Sequence, residues 1–201
     1  MKRSIIVTAL GGLLALAMAA TSLQATAAPK PSIEDPLGDA NFINDQGTGD
    51  GSFGDITAAD AGTVSDLTGV TFTHDAKKLY VTIATEAAPP AATGIGYRVR
   101  VNPDAAGTYC LEFHAYFPGA NNALTAPYGH VHDICAGTAS EPIEVLGTQL
   151  AIPRSMSKAL KTGQTLKAPQ AQAFLYSGNE TTGSTYPVAD TTLVGTDYKL
   201  K

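Results

Sequence analysis

Tryptophan is absent from the 201-residue chain, lysine and arginine together number only 13, and charged residues of both signs make up just 15% of it. The first absence removes the exposed indole on which sugar-binding surfaces commonly stack their ligands. The shortage of cations, set against 18 acids, excludes the basic face that nucleic-acid binding requires. Catalytic signatures are missing as well: the chain has no G-x-S-x-G elbow, no H-E-x-x-H and no glycine-rich phosphate loop. Carboxylate pairs such as Glu112 and Asp133 meet the bare requirement for glycoside hydrolysis, but any chain with this many acids offers such pairs. Beyond the N-terminus no apolar run is long enough to cross a bilayer.

What the N-terminus does have is a secretory signal in three parts. Lys2 and Arg3 precede an apolar run from Ile5 to Ala20, and Ala25-Thr26-Ala27 gives a small-residue exit. Residues 1–27 are therefore expected to be a signal peptide, with 28–201 a single secreted domain that is not membrane-bound after cleavage. Losing Lys2 and Arg3 leaves eleven basic residues against eighteen acids, a net charge of −7 with histidine neutral. Two cysteines remain, Cys110 and Cys135. In an oxidising compartment the expectation is a disulfide between them, since they lack the close spacing of a metal or redox pair.

The acids are unevenly placed. No lysine or arginine occurs between Pro31 and Ala76, yet nine of the eighteen acids do. Like charges so crowded repel unless water or a cation screens them. The loop-rich lead over 28–54 is mostly Gly, Asp and Asn, with Leu37, Phe42, Ile43 and Phe53 to pin it at intervals. Calcium takes six to eight oxygen ligands, which Asp35, Asp39, Asn41, Asp45 and nearby carbonyls can supply around the turns at Gly38 and Gly47. The EF-hand pattern does not match, because no Glu stands at its final position. The alternative is that these residues simply cap turns and keep a loop soluble.

Past the lead, apolar and polar residues alternate with period two, the mark of half-buried strands. Val70 and Phe72 alternate with threonines, Asp75 to Lys78 turns the chain, and Leu79, Val81 and Ile83 follow. Ile95, Tyr97, Val99 and Val101 alternate with Arg98 and Arg100, presenting a charged face to solvent or a ligand. Tyr109 to Phe117 puts Leu111, Phe113 and Ala115 on one face and Cys110, Glu112, His114 and Tyr116 on the other. Further strands are expected over Tyr128–Ile134, Pro142–Leu146, Gln149–Ile152 and Pro169–Tyr176, with one short helix at Ser157–Lys161 stopped by Gly163. Ala28 to Ile33, with Pro29 and Pro31, reads as an extended, mobile segment, Thr182 to Asp197 as loop, and Asp197 to Leu200 as a closing strand. The fold class is all-β: a two-sheet antiparallel β-sandwich, jelly-roll or Ig-like, with one short helix. His130 and His132 share a strand face that His114 can approach, giving a candidate second metal site for zinc or copper. Asn179-Glu180-Thr181 matches the N-glycosylation acceptor pattern.

Two passages carry a family resemblance. Asp35-Pro36-Leu37-Gly38-Asp39-Ala40-Asn41, followed by Asp55-Ile56 or Asp66-Leu67-Thr68-Gly69-Val70, resembles the opening of calcium-binding β-sandwich modules attached to secreted bacterial carbohydrate-active enzymes, such as the C-terminal module of glucodextranases and family 9-like carbohydrate-binding modules. The layout also looks like small exported β-sandwich proteins of actinobacteria. The resemblance covers about a third of the chain and implies a structural calcium held by Asp35, Asp39 and Asp66, with Asp55 the rival for the later position. The chain departs from those modules in one respect: their opening usually continues with an aromatic and proline stretch before the strand, whereas here Phe42 and Phe53 stand alone. The expectation is a secreted, non-enzymatic binding or accessory module with structural calcium, whose partner is an extracellular carbohydrate or protein. The alternative is a secreted hydrolase or a protease-associated, inhibitory protein.

Overall fold

The computed structural model describes residues 29–36, 65–87, 94–119, 122–176 and 188–201. The expected signal sequence, most of the acidic lead and the acceptor pattern at Asn179 lie outside the described residues.

Alternation builds the strands as expected. β2 (Leu67–His74) and β3 (Lys78–Thr85) form a hairpin. Its turn is set by Asp75, whose Oδ1 accepts from the backbone N–H groups of Lys77 and Lys78 at 2.6 and 2.7 Å. The bonds from Lys78 and then Lys77, with that from the Tyr80 hydroxyl, hold the Asp75 carboxyl below its ordinary value. β4 (Ile95–Pro103), β5 (Tyr109–Tyr116), β6 (Tyr128–Asp133), β7 (Glu141–Leu146) and β8 (Gln149–Pro153) then run as successive antiparallel neighbours. β10 (Gln170–Leu175) lies beside β4, and β11 (Val188–Thr191) beside β10.

Together with β1 (Ile33–Glu34) these strands make one ten-stranded antiparallel sheet in the order β1-β2-β3-β8-β7-β6-β5-β4-β10-β11. The sheet curls so that its two halves share one core. Phe72, Val81 and Ile152 from one half and Val99, Phe113 and Ala173 from the other belong to the same buried cluster. Each large side chain buried there stabilises by about 1.5–3 kcal/mol relative to exposure. The curl brings the sheet's edges together: Leu67 N–H at the start of β2 donates to Asp190 Oδ2 of β11 at 2.7 Å. A strap over residues 192–196 stitches the same seam. Thr192 N–H donates to the carbonyl of Ala171, Gly195 N–H to that of Pro169 and Thr196 N–H to that of Ser32, at 3.0, 2.8 and 2.7 Å.

A second, two-stranded sheet joins β9 (Thr165–Leu166) to β12 (Tyr198–Lys199). His74 ties it to the large sheet. Lys201 N–H donates to His74 Nε2 at 3.1 Å, so in the neutral ring Nδ1 carries the hydrogen and donates to the Tyr198 hydroxyl at 2.7 Å.

Three sequence expectations are corrected. The helix over Ser157–Lys161 is a three-residue 3-10 turn, Lys158–Leu160, capped by Ser157 Oγ and pinned by the Arg154 guanidinium on the carbonyl of Leu160; the span is too short for a regular helix. Ile33, read as the end of an extended, mobile segment, is 1% exposed and held by pairing with Val70. Val188–Thr191, read as loop, is an edge strand.

Candidate functional site

Four adjacent strands turn the same parity outward, and their register lays the side chains out as a grid. Across β10, β4, β5 and β6, one row holds Gln170, Arg100, Glu112 and His132, and the next Gln172, Arg98, His114 and His130. A third row holds Phe174, Gly96, Tyr116 and Tyr128. Gly96 is required because a Cβ there would lie 2.4 Å from the Phe174 ring. Ile95, Tyr97, Val99 and Val101 of β4, Leu111, Phe113 and Ala115 of β5, Val131 of β6 and Ala171 and Ala173 of β10 are buried in between, so within these spans period-two alternation sorts chemistry from packing.

The centre of the grid is a hydrogen-bonded chain along β5. Glu112, His114 and Tyr116 share one face, with His114 Nε2 3.1 Å from Glu112 Oε2 and Nδ1 2.9 Å from the Tyr116 hydroxyl. Burial pushes the Glu112 carboxyl up, but the hydrogen bond and charge of His114, with the charges of Arg98 and Arg100, outweigh it and leave the group below its ordinary value. An ionised carboxylate only accepts, so His114 Nε2 donates to it, and in the neutral ring Nδ1 accepts from Tyr116. The arginines are oriented in turn: Arg98 donates to Gln172 Oε1 and lies 3.9 Å from Glu112 Oε1, while Arg100 donates to Gln170 Oε1 and stacks over the Tyr109 ring.

His130 stacks on His114 with ring centroids 4.5 Å apart, and its Nδ1 is buried without a hydrogen-bond partner among the described residues. Burial first, then the charges of His114 and His132, push its pKa down to about 3, with Glu112 pulling weakly the other way. Between about pH 6.5 and pH 3 the unfolded ring is protonated and the folded one is not. Stability contributed by this group is therefore full above pH 6.5 and lost as the pH falls toward 3. By pH 5 the expected loss is about 2 kcal/mol. Glu112 adds little between pH 7.5 and 5, because its contribution fades only as the pH falls below its ordinary value of 4.5. Urea midpoints at pH 7.5 and 5 should fall for the native chain and stay closer together for His130→Phe; equal falls in both would rule out this role.

The three histidines named as a second metal site do come together, yet both ring nitrogens of His114 are already engaged. Among the described residues no group of three or more His, Cys, Asp or Glu side chains is arranged to hold a metal ion. Cys110 and Cys135 form a disulfide between the start of β5 and the residues just after β6.

Of the residues assigned to calcium, Asp39, Asn41, Asp45 and Asp55 lie outside the described residues. Asp35 and Asp66, 31 positions apart, lie toward the same end of the β1–β2 pair: Asp35 N–H donates to the carbonyl of Thr68 at 3.3 Å, two residues from Asp66. Asp66 is fully buried, and the Asp190 carboxylate binds the N–H of the residue that follows it. Sequence reasoning missed Asp190, since nothing local marks a residue from the far edge of the sheet. It also did not single out Gln170, Gln172 and Tyr116, although their alternation with buried residues was the available signal. Among the described residues no helix is long and apolar enough to cross a membrane. No protein-family model, curated protein or solved structure matches the chain.

Proposed function

We propose that this chain is a secreted, non-enzymatic binding or accessory module: a two-sheet antiparallel β-sandwich braced by the Cys110–Cys135 disulfide and by structural calcium. The observation that carries the reading is the fully buried Asp66 at the entrance to β2, where Asp190, only 7% exposed, binds the next N–H and the backbone of Asp35 bonds Thr68; the described acids do not by themselves form a metal-holding group, so residues of the lead would have to complete it. Carboxylates gathered out of water need donors or a cation to offset their desolvation and mutual repulsion. The donor set is all oxygen, which suits a hard divalent ion. Asp35, Asp66 and, from the lead, Asp39 would hold it, and the ion would supply charge neutralisation that fixes the lead against the sheet edge. A sandwich is supported by the single core shared between the two halves of the curled sheet. The outer face of β4, β5, β6 and β10 is the candidate surface for an extracellular carbohydrate or protein, with Tyr128, at 38% exposure, its most accessible ring.

Calcium binding only the folded state stabilises it by about 2.7 kcal/mol at a hundredfold excess over Kd. The expected result is a melting temperature that rises with calcium, falls with chelator, and responds to neither in Asp66→Asn. A melt of the native chain indifferent to both additions would sink the calcium assignment.

A further inference from the structure

On the side of the molecule where the β2–β3 turn meets the exit of β8 there is an open cavity of about 700 Å³. Every ionisable residue that lines it is cationic: Lys77, Lys78, Arg154 and Lys161. This is a strong local excess in a chain whose net charge is −5. Ser155 and Thr162 add hydroxyl groups to the wall.

Arg154 is the informative member. Its residue is only 6% exposed, and its hydrogen bonds all go to neutral acceptors: Nε to the carbonyl of Leu160 at 2.8 Å, Nη1 to that of Asp75 at 2.7 Å and Nη2 to Thr162 Oγ1 at 3.0 Å. A guanidinium has five N–H donors, and these bonds use three. Among the described residues the ion pairs are made by other side chains, none by Arg154. The carboxylates of Asp75, in the turn beside the cavity, and of Glu144, which pairs with the lining Lys78, are occupied. Asp75 accepts from Lys77 N–H, Lys78 N–H and the Tyr80 hydroxyl, and Glu144 pairs with Lys78 Nζ at 2.9 Å. A cation held out of water with no anion beside it is costly, and the cost is offset when an anion enters. The guanidinium fork suits the paired oxygens of an oxyanion, while lysine ammoniums supply point charge around it.

We propose that this cavity is an anion site that takes a ligand carrying a phosphate or sulfate group, gripped by the buried Arg154 and by the exposed Lys77 and Lys161. It is separate from the acids at the start of β2 and does not depend on calcium.

The test is calorimetric titration of the full chain, in chelated buffer, with inorganic phosphate and separately with sulfate, each against chloride at equal ionic strength. Saturable one-site binding of either oxyanion is expected, with a raised melting temperature that chloride does not give. Tighter phosphate binding identifies a phosphoryl ligand, and tighter sulfate binding a sulfuryl one. Because Arg154 also pins the 3-10 turn, the decisive variant is Lys77→Glu/Lys161→Glu, which alters exposed side chains alone and should weaken binding at least roughly tenfold with an unchanged circular dichroism spectrum. Equal responses to oxyanions and chloride, or unaltered affinity in the double variant, would overturn the proposal.

Discussion

Replacing Gly195 by valine should destabilise the protein by about 3 kcal/mol, near the upper end of what overpacking costs. A Cβ at this position would stand 2.2 Å from the carbonyl oxygen of Ser32 and 2.7 Å from Ile33 Cγ1. The first of these is backbone and cannot swing aside, and the second belongs to a core side chain that is 1% exposed. Relief requires the strap to lift. That breaks the bonds from Gly195 N–H to Pro169 and from Thr196 N–H to Ser32, which join opposite edges of the curled sheet. Urea unfolding should show a lower midpoint with the slope unchanged. Leu193→Ala, two residues away at a side chain 74% exposed, should leave the midpoint within about 0.5 kcal/mol of the native value. If both variants unfold like the native chain, the strap does not hold the seam.

Cys110→Ser/Cys135→Ser should cost about 3 kcal/mol, chiefly by freeing the unfolded chain. The bridge spans a sequence separation of 25 and reinforces a place where Ile134 N–H already donates to the carbonyl of Cys110. Native geometry there does not need the sulfur bond, so the folded state should survive with its β5–β6 register, Leu111 opposite Asp133, intact. Denaturant curves with and without reductant measure the effect on the native chain, and the double variant should ignore reductant. A native chain equally stable in both conditions would contradict this account.

The strands legible in the sequence were those whose own pattern decides their faces. Leu111, Phe113 and Ala115 alternate with Glu112, His114 and Tyr116 over a single strand, and the structure divides them between core and outer face accordingly. Cys110 and Cys135 were legible because two cysteines leave one pairing. β1 and β11 were not, for a shared reason. Each is short and is created by partners outside its own stretch, Val70 for Ile33 and Gln172 for Thr191, so no local periodicity announces it. The anion cavity was hidden likewise: Lys77, Arg154 and Lys161 are scattered in sequence and become neighbours only when β3 pairs with β8, placing Lys78 opposite Pro153. Asp35 and Asp66 were singled out from sequence motif, and Asp190 reaches the N–H of Leu67, next to Asp66, only through the curl of the sheet.

The seam also sets an order of events. Thr196 donates from both its backbone and its hydroxyl to the carbonyl of Ser32, across 164 positions of chain. Hairpins such as β2–β3 and β4–β5 close small loops and can form early, whereas the Ser32–Thr196 contact must bear the entropy of nearly the whole domain. A chain emerging N-terminus first therefore completes most of its sheet with one edge still open. Closure waits for the strap, which makes the last stretch of the sequence the step that ends exposure of unpaired backbone.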